Sequence, residues 1–169
     1  MNIFPIELYA PSDLLGSGAY GAVQLYKKDM HKQFHVHFDM PDEVAVKIFE
    51  PTKKGSLLKE IENYKSVDHP NIVKVFGTCE LNRGRWGLVM EVYEDDLFHY
   101  VESPGAKITR PCDILDAKPI LLLLAEALKY LRIKGIIHRD VKPENILVKT
   151  LPNGEIKVSL DKFINVQYI

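Results

Sequence analysis

The sequence predicts an α+β fold in two lobes, and three observations carry that prediction. Before Tyr93 the apolar residues alternate or cluster in short β-branched runs, as strands do, and after it they recur at helical spacing. A glycine-rich turn separates the first two strand-like runs. No internal repeat or low-complexity tract interrupts the 169 residues, so strands first and helices second reads as one domain of two layers.

The elements follow in order. Leu14-Leu15 runs into the glycine-rich turn, after which Val23 and Leu25 alternate with Gln24 and Tyr26 in a second strand. Glu43 to Phe49 holds the dense run Val44-Ala45-Val46-Lys47-Ile48-Phe49, a third strand. Ser56 suits the N-cap of a helix reaching about Val67, with Leu57, Ile61 and Tyr64 on one face. Ile72 to Leu81 and Trp86 to Tyr93 form a hairpin around Asn82-Arg83-Gly84. Leu115 to Arg132 is a helix apolar nearly all round, with Glu126, Lys129 and Arg132 as its polar stripe, and such a helix is expected to be buried over most of its surface. Ile146-Leu147-Val148 and Ile156-Lys157-Val158 are two short strands joined through Asn153-Gly154.

Composition narrows the setting. At 46% hydrophobic the chain has room for one core. A net charge of −1 and a pI of about 6.6 give no field for nucleic acid or a membrane surface, so neither partner is expected. Two cysteines, Cys79 and Cys112, are too few for a disulfide framework and fit a reducing compartment. Met1-Asn2-Ile3-Phe4-Pro5 lacks a signal peptide's basic start and apolar core, and the longest apolar run, Ile120 to Ala125, is too short to span a bilayer. A cytoplasmic location is therefore expected. His31, His35 and His37 have no carboxylate or cysteine framework beside them and read as a solvated loop.

The chemistry concentrates in His138-Arg139-Asp140-Val141-Lys142-Pro143-Glu144-Asn145. Asp140 can take a proton from a hydroxyl nucleophile, Lys142 can hold a transferring phosphoryl group, and Asn145 can ligate Mg2+. Upstream, Gly16-Ser17-Gly18-Ala19-Tyr20-Gly21-Ala22-Val23 fits G-x-G-x-x-G-x-V, glycines through which a backbone can approach phosphates. Dinucleotide-binding domains share that pattern, but there the last glycine opens a helix, whereas Val23-Gln24-Leu25-Tyr26 continues as a strand. Lys47 ends an apolar strand and needs a partner if it is buried; an anionic phosphate and the helix carboxylate of Glu60 are both on offer.

Glycine loop, strand lysine, helix glutamate and the His138–Asn145 loop stand in the order that one fold requires, and from about Leu14 to Val158 the chain resembles a protein kinase. The resemblance includes Asp68-His69-Pro70-Asn71-Ile72-Val73 and the strand Leu88-Val89-Met90-Glu91, which looks like the hinge. It implies ATP and Mg2+ as cofactors and a serine/threonine type, given Lys142 two places after Asp140. By the same resemblance Leu15, Gly16, Ser17, Gly18, Ala19, Tyr20, Gly21 and Val23 would cover the ATP phosphates. Lys47 would hold the α- and β-phosphates and pair with Glu60, Ala45 and Leu147 would sandwich adenine, Met90 would be the gatekeeper, and Glu91 to Tyr93 would face the base. Asp140 would be the catalytic base, Lys142 the γ-phosphate clamp, and Asn145 a metal ligand.

Two departures from the family pattern matter. Ser159-Leu160-Asp161-Lys162-Phe163 stands where a magnesium-binding Asp-Phe-Gly belongs. An ungapped alignment puts Leu160 in the Asp place, and one extra residue puts Asp161 there, followed by Lys162. A lysine beside the ion opposes metal binding by about 4 kcal/mol at roughly 4 Å and an effective dielectric near 20, so a weaker dependence on Mg2+ than in an intact kinase is expected. Second, the activation segment and lower helices of the resembled fold have no counterpart before Ile169. The expectation is thus a single truncated kinase domain over 1–169: N-lobe about 8–90, hinge 91–95, partial C-lobe 96–169. Impaired turnover is expected, with an unknown protein substrate and with a partner or self-association covering the lower-lobe surface. The alternative is a non-catalytic, pseudokinase-like nucleotide-binding interaction module. A small-molecule phosphotransferase ranks third.

Overall fold

The computed structural model describes residues 2–18, 21–32, 40–102, 114–161 and 167–168. His35, His37 and Cys112 lie outside the described residues. The chain divides into two compact units, Met1–Lys65 with Val75–Val92, and Ser66–Lys74 with Tyr93–Ile169. Among the described residues no helix is long and apolar enough to cross a membrane.

In the first unit β1 (Tyr9–Gly18), β2 (Gly21–Lys28) and β3 (Glu43–Phe49) precede helix α1 (Lys54–Lys65), and β4 (Val75–Glu80) and β5 (Trp86–Met90) follow it. The five strands form one antiparallel sheet in the order β1-β2-β3-β5-β4. β3 takes the centre because it is buried on both faces, with every residue from Val44 to Phe49 out of solvent and only Lys47 among them charged. Val44, Val46 and Ile48 enter a core shared with Phe4, Tyr9, Tyr26, Cys79 and Val89. Ala45, Lys47 and Phe49 alternate to the opposite face. α1 begins at Lys54, so Ser56 lies inside the helix and is not its cap. A 3-10 turn over Pro51–Lys53 leads straight into it, and the fixed φ of Pro51 starts the helical bend earlier than the apolar pattern does. The predicted hairpin forms around Asn82–Gly84, with Arg83 and Gly84 at φ of 64° and 69° in the turn.

The second unit carries β6 (Asp95–Asp96), α2 (Leu97–Glu102), α3 (Ile114–Ile133), β7 (Ile136–Ile137), β8 (Ile146–Thr150), β9 (Ile156–Leu160) and β10 (Gln167–Tyr168). β8 and β9 pair through the Asn153-Gly154 turn, with Gly154 at φ 83°, and β6 joins the other edge of β8. β7 pairs with β10. Ser66–Lys74 follows α1 in the chain yet folds here, because its backbone pairs with β9. The Leu160 N–H donates to the Asn71 carbonyl at 2.9 Å, and the Val73 N–H donates to the Leu160 carbonyl at 3.1 Å. The Asn71 amide adds a third bond, to the Val158 carbonyl at 2.9 Å.

α3 departs from its expected burial. Ile120, Ala127 and Leu131 form one buried stripe, while Leu121 and Leu122 are 58% and 57% exposed. Beside it an open, mostly apolar hollow of ≈ 410 Å³ is lined by Leu128, Leu131, Ile136, Ile137 and Val141 together with Arg132, His138 and Arg139. Among the described residues β7 and β9 are the main elements packed on α3, so part of an all-round apolar helix stays uncovered by them. Each leucine left bare forfeits about 1.5–3 kcal/mol of burial, and a patch of this kind drives association. The isolated chain is therefore expected to bind a hydrophobic dye and to elute as more than a monomer. A dye-silent monomer with one cooperative melt would show that the face is closed in solution.

Candidate active site

The first unit builds a glycine hairpin over the end of β3. Gly16 pairs with Val23, Ser17 with Ala22 and Gly18 with Gly21, and Ala19 and Tyr20 lie outside the described residues. Gly21 sits at φ 131°, and a Cβ there would stand 2.0 Å from the Ile48 carbonyl oxygen, so packing itself demands glycine. At Gly16 a Cβ would meet nothing within 4 Å, and the space over that backbone is open. Leu15 is exposed, and Val23 pairs across to Lys47, which ties the hairpin to the strand lysine.

Lys47 and Glu60 are 6% and 0% exposed, and Lys47 Nζ lies 2.5 Å from Glu60 Oε1. The ammonium also sits 5.5 Å from the Phe49 ring centroid. Neither residue is the solvated surface charge that most lysines and glutamates are. Removing two ions from water costs several kcal/mol each, so the pair holds only because its partners are bonded. Ala45 and Met90 pair across β3 and β5, both buried, and Glu91 is half-buried.

The second unit assembles the loop residues around Asn145, which is fully buried. Its Nδ2 donates to the Asp140 carbonyl at 2.7 Å and to Asp140 Oδ2 at 2.8 Å. Its backbone N–H donates to the Lys142 carbonyl at 2.9 Å, and its carbonyl accepts from the Asp161 N–H at 2.9 Å. Its Oδ1 is buried with no hydrogen-bond donor among the described residues. A buried acceptor left this way is costly unless something electropositive meets it, and a hard cation with a preference for oxygen fits. Lys142 is exposed.

β8 and β9 determine where the acidic residue falls. Ile146 pairs with Leu160, which is fully buried, so Leu160 is a core residue and Asp161 comes next, beside Asn145. Asp161 is 8% exposed. Lys162 and Phe163 lie outside the described residues.

His138 joins the loop to the end of β9 in a way that spacing alone does not reveal. It is 2% exposed, with Nε2 2.8 Å from the Asp161 carbonyl oxygen, while Asp140 N–H donates to Nδ1 at 3.3 Å. Burial pushes its pKa below the usual histidine value, which keeps the ring neutral. One neutral tautomer, protonated on Nε2, satisfies both contacts and joins the backbones of Asp140 and Asp161. Arg139 next to it stands at φ 67°, a left-handed bend between the buried imidazole and Asp140 that is uncommon outside glycine. No sequence pattern ties a histidine to a carbonyl 23 residues on.

Tyr93 belongs to the second unit, where its hydroxyl donates to Ser159 Oγ at 2.7 Å and Lys149 and Lys157 lie 5.2 and 5.7 Å from its ring. Its hydroxyl is therefore held within that unit. Leu147, half-buried, pairs with Ser159 on β8 and β9.

A family model described as protein kinase domain matches residues 9–160. Calcium/calmodulin-dependent protein kinase type 1 of Macrobrachium nipponense is 30% identical over 161 residues, 93% of this chain and 43% of that protein. Calcium-dependent protein kinase 4 of Plasmodium berghei is 31% identical, covering 96% of this chain and 29% of its own length. The PAS domain-containing serine/threonine-protein kinase of Mus musculus is 37% identical over 139 residues, 79% of this chain and 10% of that protein. The chain thus spans less than half the length of each of these relatives.

Proposed function

The chain belongs to the protein kinase family, of the serine/threonine type by its relatives, and on that premise we propose that it binds ATP with Mg2+ and transfers the γ-phosphoryl group to a Ser or Thr hydroxyl of a protein. The observation that carries the reading is Asn145, which grips Asp140 with its amide nitrogen while its buried amide oxygen has no donor among the described residues. Asp140 is then oriented through Oδ2, and its second oxygen is left to accept the proton of the attacking hydroxyl. Asn145 Oδ1 and the Asp161 carboxylate would hold Mg2+, which when bound neutralises phosphate charge. The exposed Lys142 offers a mobile ammonium to the γ-phosphate. In the first unit the open backbone at Gly16 and the held ammonium of Lys47 suit phosphates, and Ala45, Met90 and Glu91 line the strand and hinge that would take adenine.

Calorimetry with an ATP analogue across a Mg2+ series tests the metal assignment. Affinity is expected to rise with Mg2+ in the native chain, and Asp161→Ala is expected to flatten that rise by roughly tenfold, the loss of one charge-assisted contact. Identical Mg2+ curves for both proteins would remove Asp161 from the metal site. A second reading, a nucleotide-binding module without transfer, is favoured by Lys162, which follows Asp161 where the family pattern has no cation. Analogue binding with no phosphate incorporation into any Ser/Thr substrate would select it.

A further inference from the structure

We propose that the outer edge of β4 is a strand-docking site for a short extended peptide segment bearing one aromatic residue, occupied here by the chain's own residues Asn2–Phe4, ahead of a 3-10 turn over Ile6–Leu8. β4 ends the sheet order, and an end strand presents unpaired backbone groups that invite a further strand. The segment ahead of β1 takes that place. Phe4 N–H donates to the Thr78 carbonyl at 2.7 Å, Thr78 N–H donates to the Asn2 carbonyl at 3.1 Å, and Ile3 forms a parallel bridge with Thr78. The strands of this sheet are antiparallel to one another, so the segment is an addition to the edge and not a continuation of a hairpin.

Two features make the edge a shaped receptor. Gly77 is a notch: a Cβ there would stand 2.5 Å from the Asn2 carbonyl oxygen and 3.4 Å from Phe4 Cβ, so only glycine lets the added backbone approach. Phe4 is the anchor, 7% exposed, with its ring 5.3 Å from Tyr9 and 6.3 Å from Phe76, and it joins the core with Val44, Val46 and Val89. Ile3 beside it is 77% exposed, so recognition is concentrated on one buried aromatic and two backbone bonds. Such a mode fits a protein partner that offers a short extended segment with a phenylalanine or tyrosine, its affinity coming from main-chain bonds and its specificity from the ring. The intramolecular segment competes with that partner at high effective concentration, so the site opens when Phe4 loses its hold.

The experiment uses the full chain and a fluorescent peptide with the sequence of residues 2–8, alongside amide hydrogen exchange at Thr78. Phe4→Ala is expected to unprotect the Thr78 amide and to bind the peptide at least tenfold more tightly than the native chain. Adding Gly77→Val to Phe4→Ala is expected to return binding to background, as is replacing the peptide's phenylalanine by alanine. Phe4→Leu serves if Phe4→Ala loses its cooperative melt, with a smaller gain of the same sign. An unprotected Thr78 amide without peptide binding would overturn the proposal. So would a Thr78 amide that stays protected in the Phe4 variants, because the ring would then not be the anchor.

Discussion

Lys47→Met is expected to weaken binding of a fluorescent ATP analogue by roughly tenfold or more and to destabilise the first unit in the same step. The affinity loss is that of one charge-assisted contact to phosphate, about 1.5–3 kcal/mol, while methionine keeps the bulk of the lysine stem. The stability loss has another origin. Glu60 is fully buried and bonded to Lys47 at 2.5 Å, and removing one partner of a buried pair typically costs about 3–5 kcal/mol. Against a total of roughly 5–15 kcal/mol that is a large fraction, so the melting temperature should fall clearly. Glu60→Leu in the Lys47→Met background separates the two effects. It removes the stranded carboxylate and should recover much of the stability, yet the affinity should stay low. Titration and thermal melting of the three proteins decide it: equal analogue affinity in the native chain and Lys47→Met ends the phosphate role of Lys47. Recovery of affinity along with stability in the double variant would show that the lysine acted only through the fold.

The parts of this site that depend on local spacing are legible in the amino-acid order. Glycines at three fixed places, a strand lysine and the Asp140–Asn145 interval each declare their chemistry in a few residues, and the fold brings Lys47 to Glu60 and Asn145 to Asp140. The parts that are not legible depend on pairing between distant segments. Whether Leu160 or Asp161 meets Asn145 is a matter of register between β8 and β9, and a one-residue slip reverses which side chain faces the core. The attachment of Ser66–Lys74 to β9 is likewise a non-local choice that chain order disguises. The early start of α1 at Lys54 follows from Pro51, a local signal that stands ahead of the apolar pattern and is independent of it. The stretch Asn2–Phe4 that closes a sheet edge is too short for periodicity to show it, and Pro5 and a 3-10 turn over Ile6–Leu8 follow at once.

Asp140→Asn is expected to reduce whatever incorporation of labelled phosphate into Ser/Thr substrates the native chain supports by about 10²- to 10⁴-fold, the usual contribution of a positioned general base. The geometry makes this substitution unusually clean. Asn145 Nδ2 donates to Oδ2 and to the backbone carbonyl of residue 140; an asparagine there can accept the first bond through its amide oxygen and leaves the second unchanged. His138 still receives the backbone N–H of residue 140, so the loop should keep its shape. Only the proton acceptor is lost. Analogue affinity should therefore stay within about twofold of the native value, and the melting temperature should barely move, since no buried bond is broken. Asp140→Ala makes the contrast, because it takes away one acceptor of the Asn145 amide and should add a stability loss of about 1–3 kcal/mol to the same loss of transfer. Equal incorporation by the native chain and Asp140→Asn would remove Asp140 as the base. If the native chain binds the analogue and transfers nothing, with Asp140→Asn indistinguishable from it, the loop is held in shape without being used, and Lys162 becomes the first position to substitute.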